Sequence, residues 1–117
     1  MASDIEFVVE WTVTGDPARF RELAHAAAEM VRTEEPRARR YQWYVNPAGT
    51  TYLLTECYAD SAAMLLHMEH IARLLPELEK VGRVTRFEIL GDLTPEAETA
   101  AAATGAKRFR YVEGVNR

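Results

Sequence analysis

A chain of 117 residues, 48% hydrophobic and 27% charged, has the balance of one globular domain, which excludes a disordered chain and leaves no room for separate cofactor and substrate domains. A formal net charge of −4 argues against nucleic acid, whose phosphates demand a concentrated basic surface; the one basic cluster, Arg37, Arg39 and Arg40, reads as a solvated loop. No basic segment followed by an apolar stretch opens the chain and no apolar run approaches the roughly 20 residues of a bilayer span, so the expectation is a cytoplasmic protein without a membrane partner.

Ile5, Phe7, Val9, Trp11 and Val13 alternate with Glu6, Glu10 and Thr12, which predicts a strand with one apolar face. Gly15-Asp16-Pro17 breaks it and starts a helix, Asp16 being a good N-cap and Pro17 suited to the first helical position. Phe20, Leu23, Ala24, Ala27, Met30 and Val31 form that helix's apolar stripe, from which His25 falls away toward solvent. After Pro36, Tyr41, Trp43 and Val45 alternate with Gln42, Tyr44 and Asn46 in a second strand. Asn46-Pro47-Ala48-Gly49 is turn chemistry, and Thr51 to Tyr58 returns as the other arm of an antiparallel hairpin. Cys57, the single cysteine, excludes an intrachain disulfide and reads as a small buried thiol within that strand.

Asp60 caps the next helix, where Ala63, Met64, His67, Met68, Ile71, Leu74, Leu75 and Leu78 recur at helical spacing, turning His67 toward the core. Pro76 predicts a kink or restart near Leu75. Val84 to Leu90 is a further strand. Thr94-Pro95 starts a short helix that Gly105 stops, and Lys107 to Val112 reads as a fifth strand at a sheet edge, of this chain or of a partner. The order strand, helix, strand, strand, helix, strand is the split βαβ, or ferredoxin-like, α+β arrangement: an antiparallel sheet with two helices on one face, here with a C-terminal helix and strand added. On the other face Glu6, Val8, Glu10, Gln42, Tyr44, Arg86 and Glu88 would meet water. A two-fold homodimer burying this face is the economical solution, with an amphipathic monomer as the alternative.

Glu56-Cys57-Tyr58-Ala59-Asp60 at the strand-to-helix junction, Ala63 and His67 after it, and Val84-Thr85-Arg86-Phe87-Glu88-Ile89-Leu90-Gly91 resemble the antibiotic biosynthesis monooxygenase-like proteins of the dimeric α/β-barrel superfamily. The resemblance covers most of residues 5–91; the tail from Thr94 to Val112 is similar to that of an uncharacterised subgroup. It implies one domain over residues 1–117, with a core at 5–91 and an extension at 92–117, assembled as a dimeric α/β barrel. It also implies a cofactor-independent monooxygenase, with neither cofactor nor metal, that uses dioxygen on a quinol or polyphenol held between sheet and helices. The haem-degrading branch of the superfamily uses an Asn, a Trp and a His together, and Ile5 to Val13 contains no Asn, so haem is not expected.

Within this resemblance His67 is the expected proton acceptor, imidazole being the side chain that ordinarily titrates near neutral pH, and Glu56 is expected to orient it. Tyr41 and Trp43 are the expected aromatic walls, and Tyr58, His70 and Trp11 complete the expected substrate-binding set. Each has a bland alternative. His67 is a satisfied core histidine bonded to a neighbour such as Glu56, the two tryptophans are packing residues, and the whole is a non-catalytic dimeric protein that binds a small molecule or serves a structural role. His67 and His70 as a metal pair lack further ligands at a supporting spacing. The readings divide on whether His67 and an aromatic ring face a ligand-sized cavity, or whether Met64 and Met68 fill it.

Overall fold

Strand β1 spans Ile5–Val13, helix α1 Pro17–Glu34, β2 Ala38–Val45, β3 Thr51–Tyr58, α2 Ser61–Ile71, α3 Leu75–Val81, β4 Gly82–Leu90, α4 Pro95–Thr104 and β5 Lys107–Phe109. These elements come from a computed structural model that describes residues 4–117. The sheet order is β2-β3-β1-β4-β5. β1 is antiparallel to both β3 and β4, and β2 to β3, so the strands joined through helices, β1 with β2 and β3 with β4, run parallel with one strand between them. This is the ferredoxin-like α+β topology expected from the order of elements.

Because side chains alternate across a strand, the pairing register stacks the inner face into rows. Tyr41, Glu56, Phe7 and Ile89 form one row, Trp43, Leu54, Val9 and Phe87 the next, and Val45, Tyr52, Trp11 and Val84 the third. Glu56 thus occupies an inward position on an inner strand, between a tyrosine and a phenylalanine. The helices cover this face. Asp16 accepts from the backbone N–H of Ala18 at 3.0 Å to start α1, and Asp60 accepts from that of Ala63 at 3.0 Å to start α2. Phe20, fully buried on α1, packs edge-on to Trp11 with ring centroids 5.7 Å apart and lies 4.7 Å from Tyr52.

Several local details depart from the periodicity. α2 stops at Ile71 and the chain restarts as α3 with Pro76 in its first turn, the break that Pro76 foretold. Arg39 and Arg40 lie inside β2 rather than in a loop. Arg39 pairs with Asp4 at 3.1 Å, Arg40 with Glu6 at 2.9 Å, and Arg37 with Asp60. Val45 shares the face of Tyr41 and Trp43 but is exposed, because it closes the hairpin at the sheet's edge. β5 is three residues, shorter than the stretch Lys107 to Val112, and it pairs parallel to β4 within its own chain. Cys57 is buried, and burial followed by the nearby Asp4 and Glu6 carboxylates pushes its thiol up, away from the reactive thiolate.

The extension docks on the core rather than trailing from it. Thr94 caps α4 by accepting from Ala97 N–H at 3.3 Å, and donates its own backbone N–H to Ser61 Oγ on α2 at 3.1 Å. Ala97 and Ala101 are fully buried, and Gly105 ends the helix at φ 76°, a left-handed conformation that glycine adopts without steric cost. Among the described residues, no helix is long and apolar enough to cross a membrane.

Gly82 opens β4 where Phe20 presses on the backbone: a Cβ there would lie 2.6 Å from Phe20 Cε2 and 3.2 Å from Trp11 Cε3. Both rings are themselves wedged in the core. Gly82→Ala is therefore expected to lower the unfolding free energy by about 1–3 kcal/mol, read as a fall in the urea midpoint. An unchanged midpoint would show that Phe20 has room to move.

Candidate functional site

Between the inner face of the sheet and the arch formed by α2 and α3 lies a cavity of about 140 Å³. Aromatic and aliphatic side chains make most of its wall: Phe7, Trp11, Tyr41, Trp43 and Phe87 from the strands, and Met68, Ile71, Leu75 and Leu78 from the arch. Glu56 and His67 are its ionisable groups besides the Tyr41 phenol. Val84 on β4 and Thr104 at the end of α4 are exposed members of the wall and mark where it approaches the surface. Met68 belongs to the wall, whereas Met64 is packed fully in the core, so methionines do not fill the space.

His67 is held from both sides. Its Nδ1 lies 2.9 Å from Glu35 Oε1 and its Nε2 3.4 Å from Glu56 Oε1, with the imidazole only 3% exposed. Tyr58 and Tyr41 flank the ring at centroid distances of 5.2 and 5.3 Å. Glu35 uses its other oxygen as well: Oε2 lies 2.9 Å from Nδ1 of His70, one helical turn beyond His67. An ionised carboxylate offers acceptors only, so each imidazole facing it presents Nδ1–H, and Nε2 of His67 is turned toward Glu56.

The two carboxyl groups are tuned in opposite directions. Burial by itself would raise Glu35, but hydrogen bonds and charge attraction from His67 and then His70 outweigh it and hold the group below its ordinary 4.5. Burial raises Glu56 above 4.5, against the opposing pull of His67 and of the hydrogen bond it accepts from the Tyr58 hydroxyl. The Tyr41 and Tyr58 phenols are pushed well up, first by burial and next by the Glu56 charge, and so stay protonated. A carboxyl group whose pKa burial raises and an imidazole thus share one apolar enclosure.

The structure brings together Tyr41, Trp43, Trp11, Glu56 and His67 in the cavity wall. Tyr58 stands behind Glu56 and against His67, and His70 stands outside the wall with its side chain 19% exposed. Glu56 reaches His67 as expected, but the shorter contact, the one that fixes the tautomer, comes from Glu35. Reasoning from sequence missed Glu35 although a signal existed: it continues the Ala27–Val31 stripe by one more turn, placing a carboxylate where the helix calls for an apolar residue. Trp43 Nε1 is, among the described residues, the one buried side-chain nitrogen or oxygen with no hydrogen-bond partner. The Tyr41 phenol is the acceptor it approaches. The imidazoles turn Nδ1 to separate oxygens of one carboxylate, not to a common point that a metal would occupy.

No family sequence profile matches the chain, and no curated protein matches it in sequence. Solved structures do match in fold. MupZ from Pseudomonas fluorescens superposes with a TM-score of 0.84 at 20% identity, covering 98% of this chain and 95% of MupZ. SnoaB from Streptomyces nogalater, a cofactor-independent oxygenase, superposes with a TM-score of 0.68 at 16% identity, covering 79% of this chain and 95% of its own. Rv0793 from Mycobacterium tuberculosis gives 0.65 at 21% identity, covering 79% of this chain and 97% of its own.

The opposed carboxyl groups give stability a defined pH dependence. Glu35, depressed in the folded state, contributes stability above about pH 4.5 that is lost as pH falls through its lower folded value. Glu56, raised in the folded state, contributes stability that is fully present below about pH 4.5 and lost as pH rises through its higher folded value. Glu56→Gln, which keeps an acceptor for Tyr58, is expected to melt higher than the parent at about pH 8 and to lose that advantage near pH 4. Parallel melting curves over the whole range would mean that Glu56 gains no proton on folding.

Proposed function

We propose that the protein is a cofactor-independent monooxygenase of the antibiotic biosynthesis monooxygenase-like kind, oxidising an electron-rich aromatic, a quinol or polyphenol, with dioxygen. The observation that carries this reading is His67 in the wall of a ring-lined cavity, with Nδ1 held by Glu35 and Nε2 3.4 Å from Glu56, whose pKa burial raises. The fold shared with SnoaB, itself a cofactor-independent oxygenase, supports the same class.

A cavity near 150 Å³ lined by apolar side chains takes a benzene-sized guest, so this one, at about 140 Å³, suits a single aromatic ring, with a larger substrate extending past Val84 and Thr104. The ring lies among Phe7, Trp43 and Phe87. Its phenolic O–H meets Nε2 of His67, which takes the proton, and the phenolate transfers an electron to dioxygen directly. Recombination at a ring carbon forms a peroxide. The O–O bond then breaks, the ring keeps one oxygen atom, the other leaves as water, and all four electrons come from the substrate, so no external reductant enters. Glu56, whose pKa burial raises, hands a proton to the departing oxygen and recovers it from Nε2 of His67 3.4 Å away.

The working unit is a homodimer. Glu6, Val8, Glu10, Gln42 and Tyr44 lie on the sheet face opposite the helices, where Glu6 with Arg40 and Arg86 with Glu88 already pair. Sheet-to-sheet packing of two copies about a two-fold axis would bury Val8, Leu53 and Tyr44 and close a barrel. A binding protein without turnover is the second reading, favoured by the apolar wall and by carboxylates beside both nitrogens of His67.

Oxygen uptake with a panel of hydroquinones and polycyclic phenols, without added metal or flavin, separates these readings. Uptake is expected, with one oxygen atom from labelled dioxygen in the product, and His67→Ala is expected to reduce it by at least about a hundredfold while the protein stays folded. Undiminished turnover in that variant would remove His67 from the chemistry, and saturable binding of the phenols without uptake would favour the binding protein. Light scattering at micromolar concentration is expected to give twice the chain mass; a clean monomer would sink the barrel.

A further inference from the structure

The cavity reaches the surface between Val84 on β4 and Thr104 at the end of α4. Strict alternation from Ile89 and Phe87 would turn Thr85 inward and Val84 outward. The register instead shifts between Glu10 and Trp11: Glu10 faces Arg86 and Trp11 faces Val84, which makes Thr85 the extra residue of a β-bulge. The Thr85 hydroxyl donates to Glu10 Oε1 at 2.7 Å, on the other face of the sheet. The bulge thus puts valine methyls at the mouth where a hydroxyl would have stood. Thr104 completes the opposite lip. Its hydroxyl donates to the Ala101 carbonyl at 2.7 Å and accepts from Ala106 N–H at 3.1 Å, so its one proton is spent and no donor is left for a ligand.

The two lips are fixed to each other. Soon after Thr104 the chain enters β5, which pairs Lys107, Arg108 and Phe109 with Glu88, Ile89 and Leu90 of the strand that carries Val84, and Gly91 N–H donates to the Phe109 carbonyl at 2.8 Å. Arg108 returns to α4 through Glu98 at 2.7 Å. We infer that Val84 and Thr104 determine which substrates the site accepts, forming a mouth of fixed width that passes a flat, apolar extension of the ring held inside. The inference rests on the reading that an aromatic ring occupies the cavity. A cavity near 150 Å³ holds a benzene-sized guest, so a one-ring phenol lies wholly within this one, at about 140 Å³, and does not reach the mouth. A fused second ring has no room inside and must lie between Val84 and Thr104. Selection at the mouth therefore acts on the second ring alone. Neither residue touches the reacting atoms, so both set specificity without taking part in the chemistry, and the C-terminal extension is part of the site through Thr104.

Calorimetric titration with phenol and 2-naphthol, one ring and two, tests the mouth without turnover. Val84→Phe narrows it and is expected to weaken 2-naphthol binding by about tenfold or more while phenol stays within about twofold of the parent. Thr104→Ser keeps the hydroxyl and both its bonds, removes only the methyl, and keeps the test alive if the phenylalanine variant fails to fold. The lost contact is expected to weaken 2-naphthol by about threefold and leave phenol unchanged. Val112→Ala, at a tail residue 86% exposed, is the control and leaves both affinities at the parent value. Parent-like 2-naphthol binding in Val84→Phe overturns the inference. So does an equal loss of both ligands, which would put Val84 against the first ring, and so does a parent protein that binds phenol but not 2-naphthol. Selective loss of 2-naphthol with no oxygen uptake across the phenol panel would remove the oxygenase reading and leave the mouth standing; parent-like binding beside uptake that depends on His67 would do the reverse.

Discussion

The carboxylate of Glu35, shared between two imidazoles, ties together parts of the structure that sequence keeps far apart. It joins the end of α1 to the middle of α2 where both lie over β2 and β3, and it does so from a position almost without solvent. A buried carboxylate left without partners costs several kcal/mol, so the two histidines are what allow α1 to end where it does. The reverse also holds. Without Glu35 the imidazole of His67 has no fixed tautomer, and the geometry facing the cavity is lost with it.

The cavity exists because the arch over the sheet is interrupted. Met68 and Ile71 precede the break between α2 and α3, Leu75 and Leu78 follow it, and all four face the inner sheet. A single straight helix carrying the same residues would run past the sheet along one line. Two short helices joined at Ala72–Leu74 interrupt that line, and Pro76 lies in the first turn of α3, where a missing N–H costs nothing and its ring disfavours continuing α2. Beneath it the rings of Phe7, Trp43 and Phe87 meet their neighbours edge to face, at centroid distances of 5.3 to 6.2 Å, and so brace one another instead of collapsing inward.

The order of elements, the caps at Asp16, Asp60 and Thr94, and the inward turn of His67 were legible in the sequence because each depends on neighbours a few residues away. The site was legible only in part. Glu56 could be placed near His67 because β3 and α2 are consecutive and joined by a short junction. Glu35 extends the inward stripe of Ala27 and Val31, but its partners are 32 and 35 positions away, so its pairing is tertiary information that spacing does not carry. The early start of β2 and the early end of β5 escaped for a related reason: charged residues such as Arg39 and Arg40 enter a strand when a partner such as Glu6 waits across it, which is tertiary information.

The extension changes what the fold can select. The 98% coverage in the match to MupZ takes in α4, whereas the matches to SnoaB and Rv0793 cover 79% of this chain. α4 is fastened to α2 by Ser61 and by two alanines too small to hold the helices apart, which brings Thr104 into the cavity wall near its exposed side. Thr104 donates its hydroxyl back to Ala101 at 2.7 Å and accepts from Ala106 N–H, so it presents a methyl group and a committed hydroxyl instead of a free polar group. The mouth of the cavity is therefore apolar where the extension meets it, while the Glu35 carboxylate and His70 lie on the other side of His67, between α1 and α2.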